Sequence, residues 1–149
     1  MTSATDTSAP TLEQRRAKHA WEAVQHVLQA MQNNTEEDKA KARDFGGQAK
    51  RLPMRIMAAG LGQALTFLLA KKYAPNLLEA IGDWVLERTN PDSQRPRPPA
   101  PDALIQHIIN GDSNFLRRAT DETLAYLRWL IRFADAVGLT DDSTGREDE

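Results

Sequence analysis

The chain has 149 residues and no cysteine. That excludes disulfides, thiolate metal sites and cysteine nucleophiles, and it agrees with a reducing, cytoplasmic setting. Long apolar runs are missing as well. The uncharged stretch from Ile56 to Ala70 contains Gln63 and Thr66 and falls short of the ~20 residues a membrane-spanning helix needs. The opening, "MTSATDTSAPT", has neither a basic nor an apolar leader, so no secretory signal is expected. Strand signals are lacking, because the β-branched residues fall within helical periodicity. The most informative absence is of acid. No Asp or Glu lies between Asp44 and Glu79, although the chain as a whole carries a net charge of −2. That interval holds Lys50, Arg51, Arg55, Lys71 and Lys72. A base-only segment in an acidic chain points to an anionic partner, with solvated helix ends as the ordinary alternative.

What is present is helical. Residues 1–10 are polar and aperiodic, and are expected to be disordered. Thr11 and Gln14 have the spacing of a capping box, and Ala17, Trp21, Val24, Leu28 and Met31 form an apolar stripe widened by Ala20 and Val27. Thr35 caps a second helix whose first turn holds Glu36, Glu37 and Asp38, acids placed at the positive end of the helix dipole. Along it run Ala40, Ala42, Phe45, Ala49 and Leu52, with Gly46-Gly47 expected to weaken or bend it and Pro53 to end it or open a new turn.

Gly60 then closes that turn and a third helix starts near Leu61. Leu65, Phe67, Leu68 and Leu69 surround it, which predicts a helix buried among neighbours, with Gly60 and Gly62 admitting another backbone. A fourth helix carries Leu77, Leu78, Ile81, Trp84 and Val85. Residues 89–101, rich in proline, read as a surface loop within one domain. Asp102 and Gly111 bracket a short helix, and Ser113 or Asn114 opens the last one, with i,i+4 pairs Arg117–Asp121 and Arg118–Glu122, closing at Gly138. Residues 139–149 form an acidic tail, also expected to be disordered; the last ten residues set five acids against Arg146. The expected fold is all-α: one compact helical bundle of about six helices spanning 11–138.

Catalytic patterns are absent. Gly60-Leu61-Gly62 lacks both the third glycine of a dinucleotide loop and the Gly-Lys-Ser/Thr ending of a P-loop. No nucleophile elbow occurs, and the acids at Glu36, Glu37 and Asp38 are explained by capping. His19 and His26 stand seven apart, too far for an i,i+4 metal pair, so these and His107 are expected to be surface or boundary histidines without metal. No cofactor is expected. The aromatics Trp21, Trp84, Trp129, Tyr73 and Tyr126 are assigned mainly to core packing. The remaining candidates are cations that could touch phosphates: Lys50, Arg51, Arg55, Lys71 and Lys72, and on another helix Arg128 and Arg132, one turn apart on one face.

Two segments carry a family resemblance. Arg51–Lys72, "RLPMRIMAAGLGQALTFLLAKK", and Arg117–Val137, "RRATDETLAYLRWLIRFADAV", are similar to the two signature regions of the small helical subunit of the type III-B CRISPR effector, the fifth protein of the Cmr complex. Arg51-Leu52-Pro53, Gly60-Leu61-Gly62-Gln63-Ala64-Leu65 and Ala125-Tyr126-Leu127-Arg128-Trp129-Leu130 carry the match. Ile131, Met57-Ala58-Ala59 and the acidic tail depart from it. The resemblance implies a non-catalytic protein whose copies stack along a ribonucleoprotein beside other Cmr subunits, with a basic face towards the guide and target RNA. Base pairing would supply sequence specificity there. A helical protein–protein adaptor without nucleic acid is the alternative.

Overall fold

A computed structural model describes residues 8–31, 35–91 and 94–140. Most of the two segments expected to be disordered, 1–10 and 139–149, lies outside the described residues. Six helices follow in order: α1 (Leu12–Ala30), α2 (Glu36–Ala59), α3 (Leu61–Lys71), α4 (Pro75–Thr89), α5 (Ala103–Asn110) and α6 (Ser113–Ala136). No strand occurs among the described residues, so the all-α expectation holds.

The caps follow local chemistry. Thr11 and Gln14 exchange reciprocal hydrogen bonds, the Gln14 N–H donating to Thr11 Oγ1 at 3.0 Å and the Thr11 N–H to Gln14 Oε1 at 2.7 Å. Thr35 accepts from the Asp38 N–H at 3.0 Å. At α6 the cap is Asp112, not Ser113 or Asn114; its carboxylate accepts from the Phe115 N–H at 2.8 Å. Gly138, at φ +83°, closes α6 in a Schellman turn, with the Leu139 N–H reaching Ala134 O at 2.8 Å and the Gly138 N–H reaching Asp135 O at 3.1 Å.

Helix α6 is the hub, packing on α1, α4 and α2. The pairs Arg16–Glu122, His19–Tyr126 and Trp21–Phe133 rise together, so α1 and α6 run the same way. Tyr126, Leu127, Leu130 and Ala134 face inward with Ala20, Val24, Phe45, Leu52, Leu65, Leu77, Ile81 and Leu86.

Several expectations need correction. Pro53 neither ends α2 nor opens a new turn; the helix runs through it. An internal proline costs about 3 kcal/mol, but Leu52 and Ile56 on either side are buried, and two such side chains contribute about 3–6 kcal/mol. Burial therefore carries the helix past the break. Helix α3 is not enclosed: Leu61, Ala64, Leu65 and Leu68 are buried, while Gln63, Thr66 and Leu69 face outward. Gly60 has φ +90° and open space around it, so it serves the turn between α2 and α3 and admits no neighbouring backbone. The close approach is at Gly46, where a Cβ would collide with the backbone carbonyl of Leu139. That contact buries Leu139 and Thr140, which the sequence grouped with the tail. Trp21 stays 42% exposed, edge-on to Phe133.

Candidate nucleic-acid interface

The base-only segment folds into a corner. The second half of α2 carries Lys50, Arg51 and Arg55, Gly60 reverses the chain, and α3 returns to end at Lys71 and Lys72. The Arg55 guanidinium sits 4.5 Å from the Phe67 ring centre and donates to Gln48 Oε1 at 2.7 Å. Lys71 approaches the same ring at 5.8 Å. One aromatic face thus gathers a cation from each helix, a favourable cation–π placement. Lys50 and Arg51 lie one turn before Arg55, and Lys72 follows Lys71. Among the described residues neither Lys50 nor Lys72 has a carboxylate partner, and both are exposed.

The turn that presents Lys72 is tightly held. Lys72 adopts the left-handed conformation at φ 60°, and the Tyr73 N–H closes the helix end on Leu68 O at 3.0 Å. Ala74 follows at φ 45°, its N–H donating to Asp44 Oδ2 at 3.0 Å. Asp44, the last acid before the acid-free interval, therefore faces this turn. Met54 and Met57 flank Arg55 and are 75% and 74% exposed. The sequence pattern does contain that placement: with Leu52 and Ile56 fixed inward, helical spacing leaves residues 54 and 57 outside.

Arg128 and Arg132 lie exposed on α6, whose inner face is Tyr126, Leu127 and Leu130. They stand on another helix from the five cations of α2 and α3.

A polar network on the opposite helices went unrecognised in the sequence. Glu122 does not pair with Arg118. It turns inward to accept Arg16 Nε at 2.7 Å and Trp84 Nε1 at 2.7 Å, while Arg118 donates to Thr89 O at 3.2 Å. Burial by itself pushes the Glu122 carboxyl up, but the hydrogen bonds from Arg16 and Trp84 and the Arg16 charge outweigh it and hold the group below the usual carboxylate range. His19 lies between Asp83 Oδ2, 2.8 Å from Nε2, and the Tyr126 hydroxyl, 2.7 Å from Nδ1. Because the Asp83 carboxylate only accepts, Nε2 is assigned as donor and Nδ1 as acceptor of the tyrosine proton. Tyr126 is fully enclosed, and desolvation first, then the Asp83 and Glu22 charges, raises its hydroxyl well above the ordinary value. These groups bond mainly to one another, with Glu13 on Arg16 and Arg97 on Asp83 beside them. Among the described residues no group of three His, Asp or Glu side chains is placed to hold a metal ion, and no helix is long and apolar enough to cross a membrane.

A protein family described as CRISPR-associated protein (Cas_Cmr5) matches residues 12–137. The chain belongs to the Cmr5 family. Membership makes it a small subunit of the type III-B CRISPR complex, associated with other Cmr subunits. No solved structure matches the chain. The Cmr5 match begins at the first residue of α1 and ends one residue beyond α6, so it takes in all six helices and every candidate cation.

Proposed function

We propose that this Cmr5-family chain is a non-catalytic subunit whose α2–α3 corner lines the channel for guide and target RNA, with copies stacked along the complex in antiviral defence. The observation that carries the reading is the corner itself. Cations from two helices converge on Phe67, Lys50 and Lys72 are exposed beside them with no carboxylate partner among the described residues, and no acid occurs from residue 45 to 78. Such a surface suits a phosphate backbone, which is contacted through charge and carries no sequence information by itself. Arg128 and Arg132 supply a second, smaller set of contacts.

The test is target-RNA capture by the assembled complex. Reversing Lys50, Arg51 and Arg55 to Glu weakens capture and flattens its salt dependence, each lost contact removing about 0.7–0.9 from the log–log slope. Arg55 also holds Gln48 and Phe67, so a Lys50→Glu, Lys72→Glu pair separates charge from packing. Unaltered salt-dependent capture by both variants refutes the reading.

One observation favours the adaptor alternative at the same corner. Met54 and Met57 are three-quarters exposed, and methionine serves adaptable protein contacts. On that reading Met54→Ser, Met57→Ser strips partner subunits from the complex, whereas the Lys50→Glu, Lys72→Glu pair leaves both partners and RNA in place.

A further inference from the structure

Two half-buried carboxylates take cations within the fold, Glu122 from Arg16 and Asp83 from Arg97 at 2.9 Å. A cleft of about 400 Å³ between α1, α4 and the proline-rich loop holds one that does not. Ala23, Val27, Phe45 and Ala80 give it an apolar lining, and its acids are the exposed Glu22 and the half-buried Glu79 and Asp83. Among the described residues neither glutamate has a hydrogen bond or an ion-pair partner. Glu79 is half-buried all the same: desolvation first pushes its carboxyl above the usual range, and His26 opposes this only in part. Arg97, the cation of the cleft, is committed to Asp83 and Glu87.

A carboxylate withdrawn from water without a cation is stabilised by any cation that enters the same space. The lining decides which cation. An ammonium on a flexible stem is strongly hydrated and loses much on entering an apolar cleft, while a guanidinium is weakly hydrated, carries a methylene stem and can fork to carboxylate oxygens. The chain is a subunit that associates with other proteins, so a side chain from a neighbour is available. We propose that this cleft is a docking site for an arginine side chain of a neighbouring protein subunit, its stem on the Ala23, Val27 and Ala80 lining and its guanidinium meeting Glu79 and Glu22. The cleft belongs to α1 and α4, so the inference stands apart from the RNA reading of the α2–α3 corner.

The probe is N-acetyl-arginine methylamide, titrated into the isotopically labelled full chain, with N-acetyl-citrulline methylamide as the neutral isostere. The expected result is amide shifts confined to residues 19–27, 45, 76–83 and 97 for the arginine compound, with binding weakened about tenfold or more for citrulline and for a Glu22→Gln, Glu79→Gln variant of unaltered helicity. In the assembled complex the same variant lowers retention of this subunit. Equal shifts from the two compounds, shifts elsewhere or none, or retention unchanged in the variant would each overturn the proposal. So would spermidine saturating the same amides as tightly as the arginine compound, which would assign the cleft to a free polyamine.

Discussion

The α1–α4–α6 side and the α2–α3 corner use charge in opposite ways. On the first, Arg16, Glu122, Trp84, His19, Asp83 and Tyr126 close on one another at 2.7–2.8 Å, and the Arg16 and Glu122 side chains retain only 11% and 13% of their exposure. Charges so placed are held by partners within the fold; their work is positioning helices. At the corner, lysines stand in water and the arginine over Phe67 is held by a ring and an amide. Among the described residues no carboxylate pairs with Lys50 or Lys72 as Glu122 pairs with Arg16. The difference separates a charge that specifies the fold from one kept for something outside it, and mutations should divide along the same line.

The largest effect is expected on the paired side. Glu122→Ala leaves Arg16 and the Trp84 N–H without their acceptor, and removing one member of a largely buried pair costs about 3 kcal/mol. Denaturant unfolding measures it. Titration gives a second signature with a fixed sign. The folded Glu122 carboxyl lies below its unfolded value, so its stabilisation is complete above the ordinary carboxylate range and is lost as pH falls through the depressed folded value. The stability gap between the wild-type chain and Glu122→Gln should therefore narrow as the solution is acidified below about pH 4. A gap that widens there would place Glu122 outside the network.

Next comes the seam between the two regions. Gly46→Ala gains up to about 1 kcal/mol of helix propensity, but its Cβ meets the Leu139 carbonyl. Relieving a backbone collision costs about 1–3 kcal/mol, and displacing Leu139 exposes a buried leucine worth about 1.5–3 kcal/mol. Loss wins, by about 2 kcal/mol, and Tm falls. A stabilised variant would mean that Leu139 is not seated on α2. A smaller effect follows at Tyr126→Phe, which keeps the ring packing but removes the hydroxyl bonded to His19, about 1 kcal/mol of destabilisation in the same assay.

How much of this was legible in the sequence divides by distance along the chain. Thr11–Gln14, Thr35 and Gly138 act over three to five residues, and the structure has them in the expected places. The acid-free interval was equally plain, as was the order of the helices. What the sequence concealed depends on partners far away. Pro53 reads as a breaker until Leu52 and Ile56 are seen to be buried. Glu122 reads as an i,i+4 partner of Arg118 until Arg16, from the other end of the chain, takes it. Gly46 reads as a weak point until Leu139 arrives. His19 was expected at a boundary, and its half-burial agrees, but its two partners lie on α4 and α6. The arginine-sized cleft has no signature at all, since α1, α4 and a proline loop contribute its walls.

The last test belongs to the corner and asks for almost no change in stability. Lys72 holds a left-handed conformation, which costs a non-glycine residue about 1–2 kcal/mol. Lys72→Gly removes that strain but loosens the unfolded chain by about 0.5–1 kcal/mol and forfeits a favourable cation at a helix C-terminus worth about 0.3–1 kcal/mol. The three contributions nearly cancel, so the variant should unfold within about 0.5 kcal/mol of the wild-type chain. If Lys72 faces the phosphate backbone, RNA capture by the complex should nonetheless weaken and its salt slope fall by about 0.7–0.9. No substitution in the Arg16–Glu122–Trp84 network can produce that pattern, because there every lost contact is one the fold itself uses. Unchanged capture alongside unchanged stability would reduce Lys72 to a helix-end charge and remove it from the RNA face.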